Sequence, residues 1–531
     1  MELAFQAAGE HDRYQKIMAI IIIATGALTL ILPVSFAYLT KIPGFLCRNP
    51  DDININYYEC DFNNNFCLLP KTIDFIKDPN PQRSINNFAY SFDLYCAKEF
   101  YSPMLSSFFF FGGILGCVFL SSIPDKYGRK IIFISLLIGS SFMHLNILFA
   151  INPQHLLIIH FLSGICSFAY GMSSVLVAEY IPRNLSNLIM SFTNAIYPLS
   201  GITVGFYFLI INNWRLLFLF TTILQFSVTY LAIKYFKESP KWLNSQKMID
   251  KCINNLREIA NINGKLKTFD EYIEKNKELL TLNNENSDNQ SKQPVSYSLL
   301  QIFNFPSQRK NSILNFIVWF SCGFCFYGII LNLAHLGGDF FADSILAFTG
   351  EITSELSSGW LSNIFGRIPI LSGGGLMGSS FFLLYIWTEN SFIKSISVFF
   401  ATFGFAASFN VIFIYTPELF PTPIRATICG FSYLISRFGA MIVSPICSKI
   451  GTMANYLFVT IGIFMAFIFM QMEETLGKEM VDNIPEIEGL VSFVDNSNGF
   501  QTSNVKIDIL SDVAEKTSGY FLTKKVLFNI L

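Results

Sequence analysis

Three charged side chains lie within long apolar segments of the sequence: Glu351, Glu355 and Arg437. A charge at the centre of a membrane costs about 2.5–3.5 kcal/mol even on the most lenient insertion scale, so such residues usually serve a function. The two glutamates are four residues apart and would share one helix face. We therefore predict a site where a zwitterion contacts both signs of charge, or where the acid pair exchanges a proton. The structural alternative is an ion pair between Arg437 and one glutamate that fixes two helices.

Aromatic side chains form a second set of candidates for the same site. Phe326 and Tyr327 follow Trp319 by seven and eight residues, so all three lie near one face of a helix. Phe409 belongs to another apolar segment. Rings of this kind bind a quaternary ammonium group by cation–π contact, worth about 0.5–2 kcal/mol each. Because 16% of the chain is aromatic, ordinary packing is the alternative for each ring.

The sequence offers no pattern for other chemistries. We find no metal-ligand spacing, catalytic triad or nucleotide-binding loop, and we therefore predict neither a cofactor nor enzymatic activity. The 38 acidic and 36 basic residues nearly cancel, which argues against a nucleic-acid binder. His144 and His160 are predicted to be packing histidines, with a proton relay as the alternative.

The elements that must position these residues are membrane helices. Of the 531 residues, 52% are hydrophobic and only 14% are charged, whereas a soluble domain carries about 25% charged residues. A membrane helix needs about 20 apolar residues, and the first such run extends over residues 17–39. Further runs are centred near Phe111, Leu137, Ser167, Pro198, Leu224, Cys322, Ala347, Leu376, Phe403, Leu434 and Ile463. We therefore predict an all-α polytopic membrane protein with twelve transmembrane helices, of which the polar eighth and the short twelfth are the weakest.

These spans divide the chain into two halves. Residues 1–234 are predicted to form a six-helix bundle with an outer loop at 40–102, and residues 311–471 to form a second six-helix bundle. Between them, residues 235–310 are predicted to hold two amphipathic helices and a polar linker, and 472–531 a tail. The Lys and Arg residues of the short loops cluster after the even-numbered spans, which predicts that both termini, the middle loop and the tail are cytosolic.

Four cysteines lie in the outer loop: Cys47, Cys60, Cys67 and Cys96. Four cysteines in an exofacial loop predict two disulfides, and the sequence leaves three pairings open. Four free thiols are the alternative. Disulfides require only passage through an oxidising compartment, which the plasma membrane and an internal organelle both satisfy. We favour the plasma membrane, with an internal organelle as the alternative.

The two halves contain related motifs. DKYGR at 125–129 matches NIFGR at 363–367, and EYIP at 179–182 matches ELFP at 418–421, at offsets of 238 and 239 residues. Two parallel six-span repeats predict a substrate site between the halves and transport by alternating access. The predicted conformational residues are Asp125, Gly128, Arg129, Glu179, Gly366, Arg367, Glu418 and Arg425. The glycines permit tight turns, and the charges could pair across a closing interface; simple topology-setting charge is the alternative.

An ordered set of motifs resembles the organic cation, organic anion and carnitine transporters of the major facilitator superfamily. These motifs are GEHDRYQ at 9–15, ESPKWL at 238–243, LREIANINGK at 256–265, YGIILNLAHLGGD at 327–339, YTPELFPTPIR at 415–425 and ETLGK at 474–478. The resemblance implies the major facilitator fold. It also implies a cavity-facing acid at Glu351, as in cation-handling relatives, whereas Arg437 stands where anion and carnitine transporters carry Arg.

We therefore expect a secondary active or facilitative transporter of small organic ions, with anions or zwitterions favoured and a proton or sodium ion as possible coupling ion. A sugar or nutrient porter and an organic cation transporter on the same fold are the alternatives. A receptor or scaffold that keeps the fold without transporting is the alternative from another class.

Overall fold

The computed structural model describes residues 2–9, 12–48, 57–60, 74–80, 83–275, 302–303, 306–336 and 338–478. The described residues form a series of long helices, which we call spans 1 to 12. Spans of the first half are Arg13–Thr29 with Ile31–Thr40 (span 1), Tyr101–Leu120 (span 2), Arg129–Leu148 (span 3), Pro153–Cys166 with Phe168–Gly171 and Ser173–Tyr180 (span 4), Arg183–Ile210 (span 5) and Trp214–Tyr235 (span 6).

The second half repeats this arrangement. Its spans are Pro306–Asn332 (span 7), Phe340–Phe365 (span 8), Arg367–Trp387 (span 9), Ser391–Leu419 (span 10), Thr422–Ile450 (span 11) and Ala454–Phe469 (span 12). The shorter helices are Glu2–Ala7, Phe88–Phe92, Ile123–Tyr127, Pro240–Ser245, Ile249–Ile262 and Leu266–Lys275, with 3₁₀ turns at Cys96–Lys98, Leu333–His335 and Gly451–Met453.

Length and hydropathy identify ten of the spans among the described residues as helices that could cross a membrane. Span 8 is long enough, with 26 residues, but it is polar for a membrane helix. Span 12 is strongly apolar but has only 16 residues. These are the two spans that the sequence marks as weakest. The twelve-helix prediction is confirmed in the described part of the chain.

Each span ends at one of two faces of the molecule. We call the end that carries the outer loop the loop face, and the end that carries the turns at Gly128 and Gly366 the motif face. At the loop face, strands Phe45–Arg48 (β1), Tyr58–Cys60 (β2) and Asp74–Lys77 (β3) form an antiparallel sheet in the order β2-β1-β3.

The predicted disulfides of this loop are partly visible. Cys47 and Cys60 form a disulfide, which is one of the cysteine pairs that the sequence leaves open. Cys96 is disulfide-bonded as well. Cys67, the polar linker of the middle loop and most of the tail lie outside the described residues.

The helices of the middle loop pack on the first half. Asn263, which follows the helix Ile249–Ile262, donates from Nδ2 to the carbonyl oxygens of Ala8 and Gly9, both at 2.9 Å. Its Oδ1 accepts the backbone N–H of Tyr14 at 2.9 Å. The segment before span 1 and the middle loop therefore form one unit.

The hydrophobic core shows how the two halves meet. Towards the loop face, one buried cluster contains residues of both halves, such as Phe109 and Phe348. Towards the motif face the clusters are separate: one contains Tyr14 and Phe236 of the first half, and a smaller one surrounds Phe420 of the second. The structure is therefore closed at the loop face, while the halves separate towards the motif face.

Candidate functional site

Arg437 lies at the centre of the space between the halves. It is on span 11, is partly exposed, and donates a hydrogen bond to the hydroxyl of Tyr433 one turn before it. Its Cζ lies 4.8 Å from the ring centroid of Tyr433, 5.3 Å from that of Tyr327 and 5.9 Å from that of Phe110. Rings from spans 2, 7 and 11 thus surround one guanidinium by cation–π contact.

The ion pair between Arg437 and a glutamate is not formed in this structure. The ion pairs of the described residues include no carboxylate within 4.0 Å of Arg437. Its positive charge is stabilised by rings and one hydroxyl instead. The guanidinium therefore keeps donors for a bound anion.

The four predicted aromatic residues come together next to Arg437. The Phe326 and Phe409 rings are stacked with centroids 4.6 Å apart. The Tyr327 ring lies 5.9 Å and the Trp319 ring 6.3 Å from Phe409. Phe413, one turn further along span 10, contacts Trp319 at 4.6 Å. We call Trp319, Phe326, Tyr327, Phe409 and Phe413 the aromatic cluster.

A chain of buried hydrogen bonds fixes the orientation of Trp319. The indole Nε1–H donates to Thr416 Oγ1 at 2.8 Å, and that hydroxyl donates to Asn315 Oδ1 at 3.0 Å. Asn315 Nδ2 donates to Ser432 Oγ at 2.7 Å. Because these residues belong to spans 7, 10 and 11, the chain holds three helices in register behind the aromatic cluster.

Glu351 and Glu355 differ in their surroundings although they lie on one face of span 8. Glu351 is 2% exposed, and its Oε2 has no hydrogen-bond partner among the described residues. Glu355, one turn nearer the motif face, is partly exposed. Only Glu355 is therefore in a position to meet a solute that enters from the motif face.

The first half contributes polar side chains to the opposite wall. Tyr170 of span 4 donates its hydroxyl to Asn194 Oδ1 of span 5 at 3.3 Å. Tyr170 and Tyr197 both lie near enough to Arg437 to interact with its charge. Tyr197 of span 5 thus faces the site as well.

The predicted conformational residues of the first half form a network at the motif face. Arg129 donates from Nε to Glu179 Oε1 at 3.0 Å and pairs with Asp125 at 2.7 Å. Gly128 has φ +106°, a conformation that favours glycine. Glu238 accepts the backbone N–H of Arg129 at 2.8 Å and so caps span 3.

The second half repeats this network. Arg367 binds both carboxylate oxygens of Glu418, at 3.1 and 2.9 Å, and Gly366 has φ +100°. Glu474 accepts the backbone N–H of Arg367 and that of Ile368, each at 2.9 Å. Burial alone would raise the pKa of Glu474, but the backbone N–H groups it accepts hold it below its usual value.

Among the residues that the structure describes, the charges of these networks pair within each half and not across the interface. Arg425 differs from the other predicted conformational residues, because it donates to the Phe420 carbonyl at 3.1 Å and has no acid within 4.0 Å among the described residues. The networks therefore make each half rigid at the motif face in this state.

Several site residues escaped sequence analysis. Tyr433, Phe110 and Tyr170 contact or surround Arg437, but nothing distinguishes them from the many other aromatics of the chain. Glu238 and Glu474 could have been found from the sequence. They begin the motifs ESPKWL and ETLGK, and their spacing of 236 residues is close to the offsets of the other repeated motifs. Phe405, on the same span as Phe409, is 1% exposed and lines the small cavity beside Glu351.

The loop face is closed by direct contacts between the halves. The Tyr38 ring of span 1 meets the Phe340 ring of span 8 at 5.1 Å, and Lys41 Nζ lies 4.2 Å from the same ring. Ser107 of span 2 donates to the carbonyl oxygen of Met441 of span 11 at 2.7 Å. Burial lowers the pKa of Lys41 to about 8.

The comparisons with known proteins identify a family and relatives that cover most of the chain. The family model described as Major Facilitator Superfamily matches residues 84–445. Solute carrier family 22 member 21 of Mus musculus is 24% identical over 90% of this chain and 92% of its own length. Organic cation/carnitine transporter 2 of Rattus norvegicus is 25% identical over 74% of this chain and 70% of its own length.

A solved structure shows the same fold. It is the inward open conformation of the xylose transporter XylE from E. coli, with a TM-score of 0.57 at 14% identity, covering 88% of this chain and 97% of that one.

Proposed function

The chain belongs to the Major Facilitator Superfamily, and we propose that it carries small organic ions with a carboxylate group, anions or zwitterions, by alternating access. The twelve spans make it a multi-pass membrane transporter. One observation carries the substrate class: Arg437 lies between the halves, partly exposed and without a carboxylate partner among the described residues.

A guanidinium without an anionic partner is costly in a membrane interior, and a negative charge beside it lowers that cost. A carboxylate on the substrate supplies that charge, and a charged hydrogen bond of this kind is about twice as strong as a neutral one. The rings of Tyr433, Tyr327 and Phe110 hold the guanidinium in place by cation–π contact. The substrate carboxylate would bind there, with the Tyr433 hydroxyl beside it.

A zwitterion would find its second contact in the same space. Glu355 is partly exposed on span 8, and the aromatic cluster offers ring faces for an ammonium group. This arrangement favours a carnitine-like molecule over a simple anion. The organic cation alternative would use Glu355 and the cluster alone, and the sugar porter alternative rests on the fold.

The transport cycle follows from the two halves. Closure at the loop face by Tyr38, Lys41 and Phe340 directs the site to the motif face. Breaking these contacts and closing the motif face would expose the site on the other side. The networks of Arg129 and Arg367 would let each half move as a unit, and the substrate would leave chemically unchanged.

The orientation in the membrane is part of the proposal. The basic residues at the motif face support a cytosolic location for that face, the termini and the middle loop. The disulfide of Cys47 and Cys60 then lies outside the cytosol, as its chemistry requires. We favour the plasma membrane.

The test is uptake of labelled carnitine, an organic anion and an organic cation, in parallel, into cells that express the protein. Saturable uptake of carnitine or of the anion is the expected result. Uptake of the cation alone would overturn the substrate class and leave Arg437 a structural residue. Binding without flux in reconstituted vesicles would favour the receptor or scaffold.

A further inference from the structure

Glu351 is a buried carboxyl group that the proposed substrate site does not use. It lies 2% exposed on span 8, and within the described part of the chain its Oε2 has no hydrogen-bond partner. A carboxylate in such surroundings, without a cation, costs several kcal/mol, and a group of this kind takes up a proton instead. A ligand with a single positive charge and almost no volume would therefore stabilise this carboxylate.

The cavity beside Glu351 excludes a metal ion as that ligand. Its described lining consists of Phe326, Ile329, Ile330, Thr402 and Phe405 in addition to Glu351. Four of these residues are hydrocarbon, and the Thr402 hydroxyl already bonds to the Ala347 carbonyl oxygen at 3.0 Å. A hard metal cation needs several oxygen ligands, which this lining does not offer.

The charges around Glu351 are also those of a proton site. The titratable groups that interact with it are Glu355 on its own helix, Tyr327 from span 7 and Tyr197 from span 5. Arg437 of span 11 lies beyond ion-pair distance. On spans 9 and 10, Arg367 and Glu418 pair with each other at the motif face. No basic side chain of the described residues therefore neutralises Glu351.

Glu355 provides a route from this group to water. It lies one turn nearer the motif face, about 6 Å along the helix axis, and is partly exposed. We propose that Glu351 is a proton-binding site whose proton exchanges with water at the motif face through Glu355, so that transport is coupled to one proton. This inference rests on the proposed function, because it adds the coupling ion to the same cycle.

The proton balance of the cycle is simple. With the loop face open, the Glu351 carboxylate takes one proton from water on that side. With the loop face closed, as here, the acid passes that proton to the Glu355 carboxylate, which releases it to water at the motif face. Only O–H bonds form and break, and one proton crosses with each substrate.

The first experiment measures coupling in vesicles that contain the purified full chain, with labelled carnitine as the probe. With one proton per carnitine, a gradient of one pH unit drives an accumulation of up to about tenfold. In Glu351→Gln, the ratio of uptake with the gradient to uptake without it should fall to one. Glu389→Gln, the same change at an exposed residue near the loop face, is the matched control and should keep the wild-type ratio.

A second experiment does not depend on any substrate. Infrared spectroscopy of the wild type near neutral pH should show the band of a protonated carboxyl group, which Glu351→Gln removes and Glu389→Gln keeps. If carnitine is not transported at all, the proposed function fails for that probe, and the infrared band alone decides the proton site. Absence of the band, or gradient-driven accumulation that persists in Glu351→Gln, would overturn the inference.

Discussion

Glu238 and Glu474 hold the same place in the two halves of the molecule. Each carboxylate accepts the backbone N–H of the arginine that begins a span, Arg129 at 2.8 Å and Arg367 at 2.9 Å. Each also faces the glycine that precedes this arginine. Negative groups at a helix N-terminus are stabilising, since they satisfy free N–H groups and oppose the helix dipole.

Glu474→Gln should destabilise the protein by about 1 kcal/mol, because the neutral amide offers one acceptor oxygen where the carboxylate offers two. The lowered pKa of Glu474 sets the pH dependence. The extra stability of the wild type over Glu474→Gln is fully present above the ordinary glutamate pKa of about 4.3. It is lost as the pH falls through the lower pKa that Glu474 has in the folded state. Thermal unfolding of both proteins in detergent from pH 7 downwards checks this. A constant difference across that range would contradict the assignment.

Gly366→Ala should be strongly destabilising. The residue has φ +100°, and an added Cβ would lie 2.7 Å from Glu474 Oε2. We expect a loss of about 1–3 kcal/mol, measured by thermal unfolding. Gly373→Ala is the matched control, because that glycine lies inside span 9 and has nothing within 4 Å of an added Cβ. Gly373→Ala should leave stability unchanged or raise it; equal loss in both variants would remove the role of the turn.

Arg437→Ala should abolish uptake while the protein still reaches the cell surface. Loss of the guanidinium removes the only positive charge placed for a substrate carboxylate among the described site residues, and truncating such a partner costs about 2–5 kcal/mol. This corresponds to a rise of roughly 30-fold or more in KM. Arg215→Ala, at an exposed arginine of the loop face, is the control. Normal uptake by Arg437→Ala would mean that the substrate binds elsewhere.

Tyr433 should contribute through its hydroxyl and its ring separately. Tyr433→Phe keeps the ring face against Arg437 but loses the hydrogen bond, which should raise KM about fivefold. Tyr433→Leu loses both contacts and should be weaker still. Concentration-dependent uptake separates the two effects. The same KM in both variants would show that the ring adds nothing.

Hydropathy and motif spacing were sufficient for the fold but not for the details of the site. The polar eighth and the short twelfth spans are the weakest part of that prediction, because helix length and apolar content set a membrane helix. Glu351 and Arg437 could be marked because charge is costly in a membrane. The lack of an ion pair between them could not be predicted, because it depends on how spans 8 and 11 are rotated against each other. Nor could Tyr433 or Phe110 be chosen, because an aromatic residue looks the same in sequence whether it faces lipid or a cavity.

The disulfide of Cys47 and Cys60 should matter for folding more than for substrate affinity. It closes a loop of 13 residues far from Arg437, and a loop of this size is worth about 3 kcal/mol. Replacing both cysteines by alanine should lower the yield of folded surface protein and leave the KM of the remaining protein unchanged. Cys117→Ala, at a thiol without a disulfide, is the control for yield. An undiminished yield from the double variant would contradict the prediction.

Lys41 should make closure of the loop face depend on pH. It is half-buried in the closed state beside Phe340, where the loss of water around it lowers its pKa to about 8, whereas an exposed lysine has a pKa of about 10.4. Between these values the closed state holds a neutral amine and the open state a charged one, so closure releases a proton. Raising the pH through 8 therefore favours closure, by up to tenfold per pH unit.

Distances between spin labels at positions 215 and 389, on the loop-face ends of the two halves, measure this equilibrium. In the wild type the population with the short distance should grow between pH 8 and 10. Lys41→Arg keeps its charge throughout that range and should lose the pH dependence, with the open population enriched, because closure then buries a permanent cation. Lys41→Met carries no charge and should stay closed at every pH. A pH dependence that survives in Lys41→Met would assign it to another group.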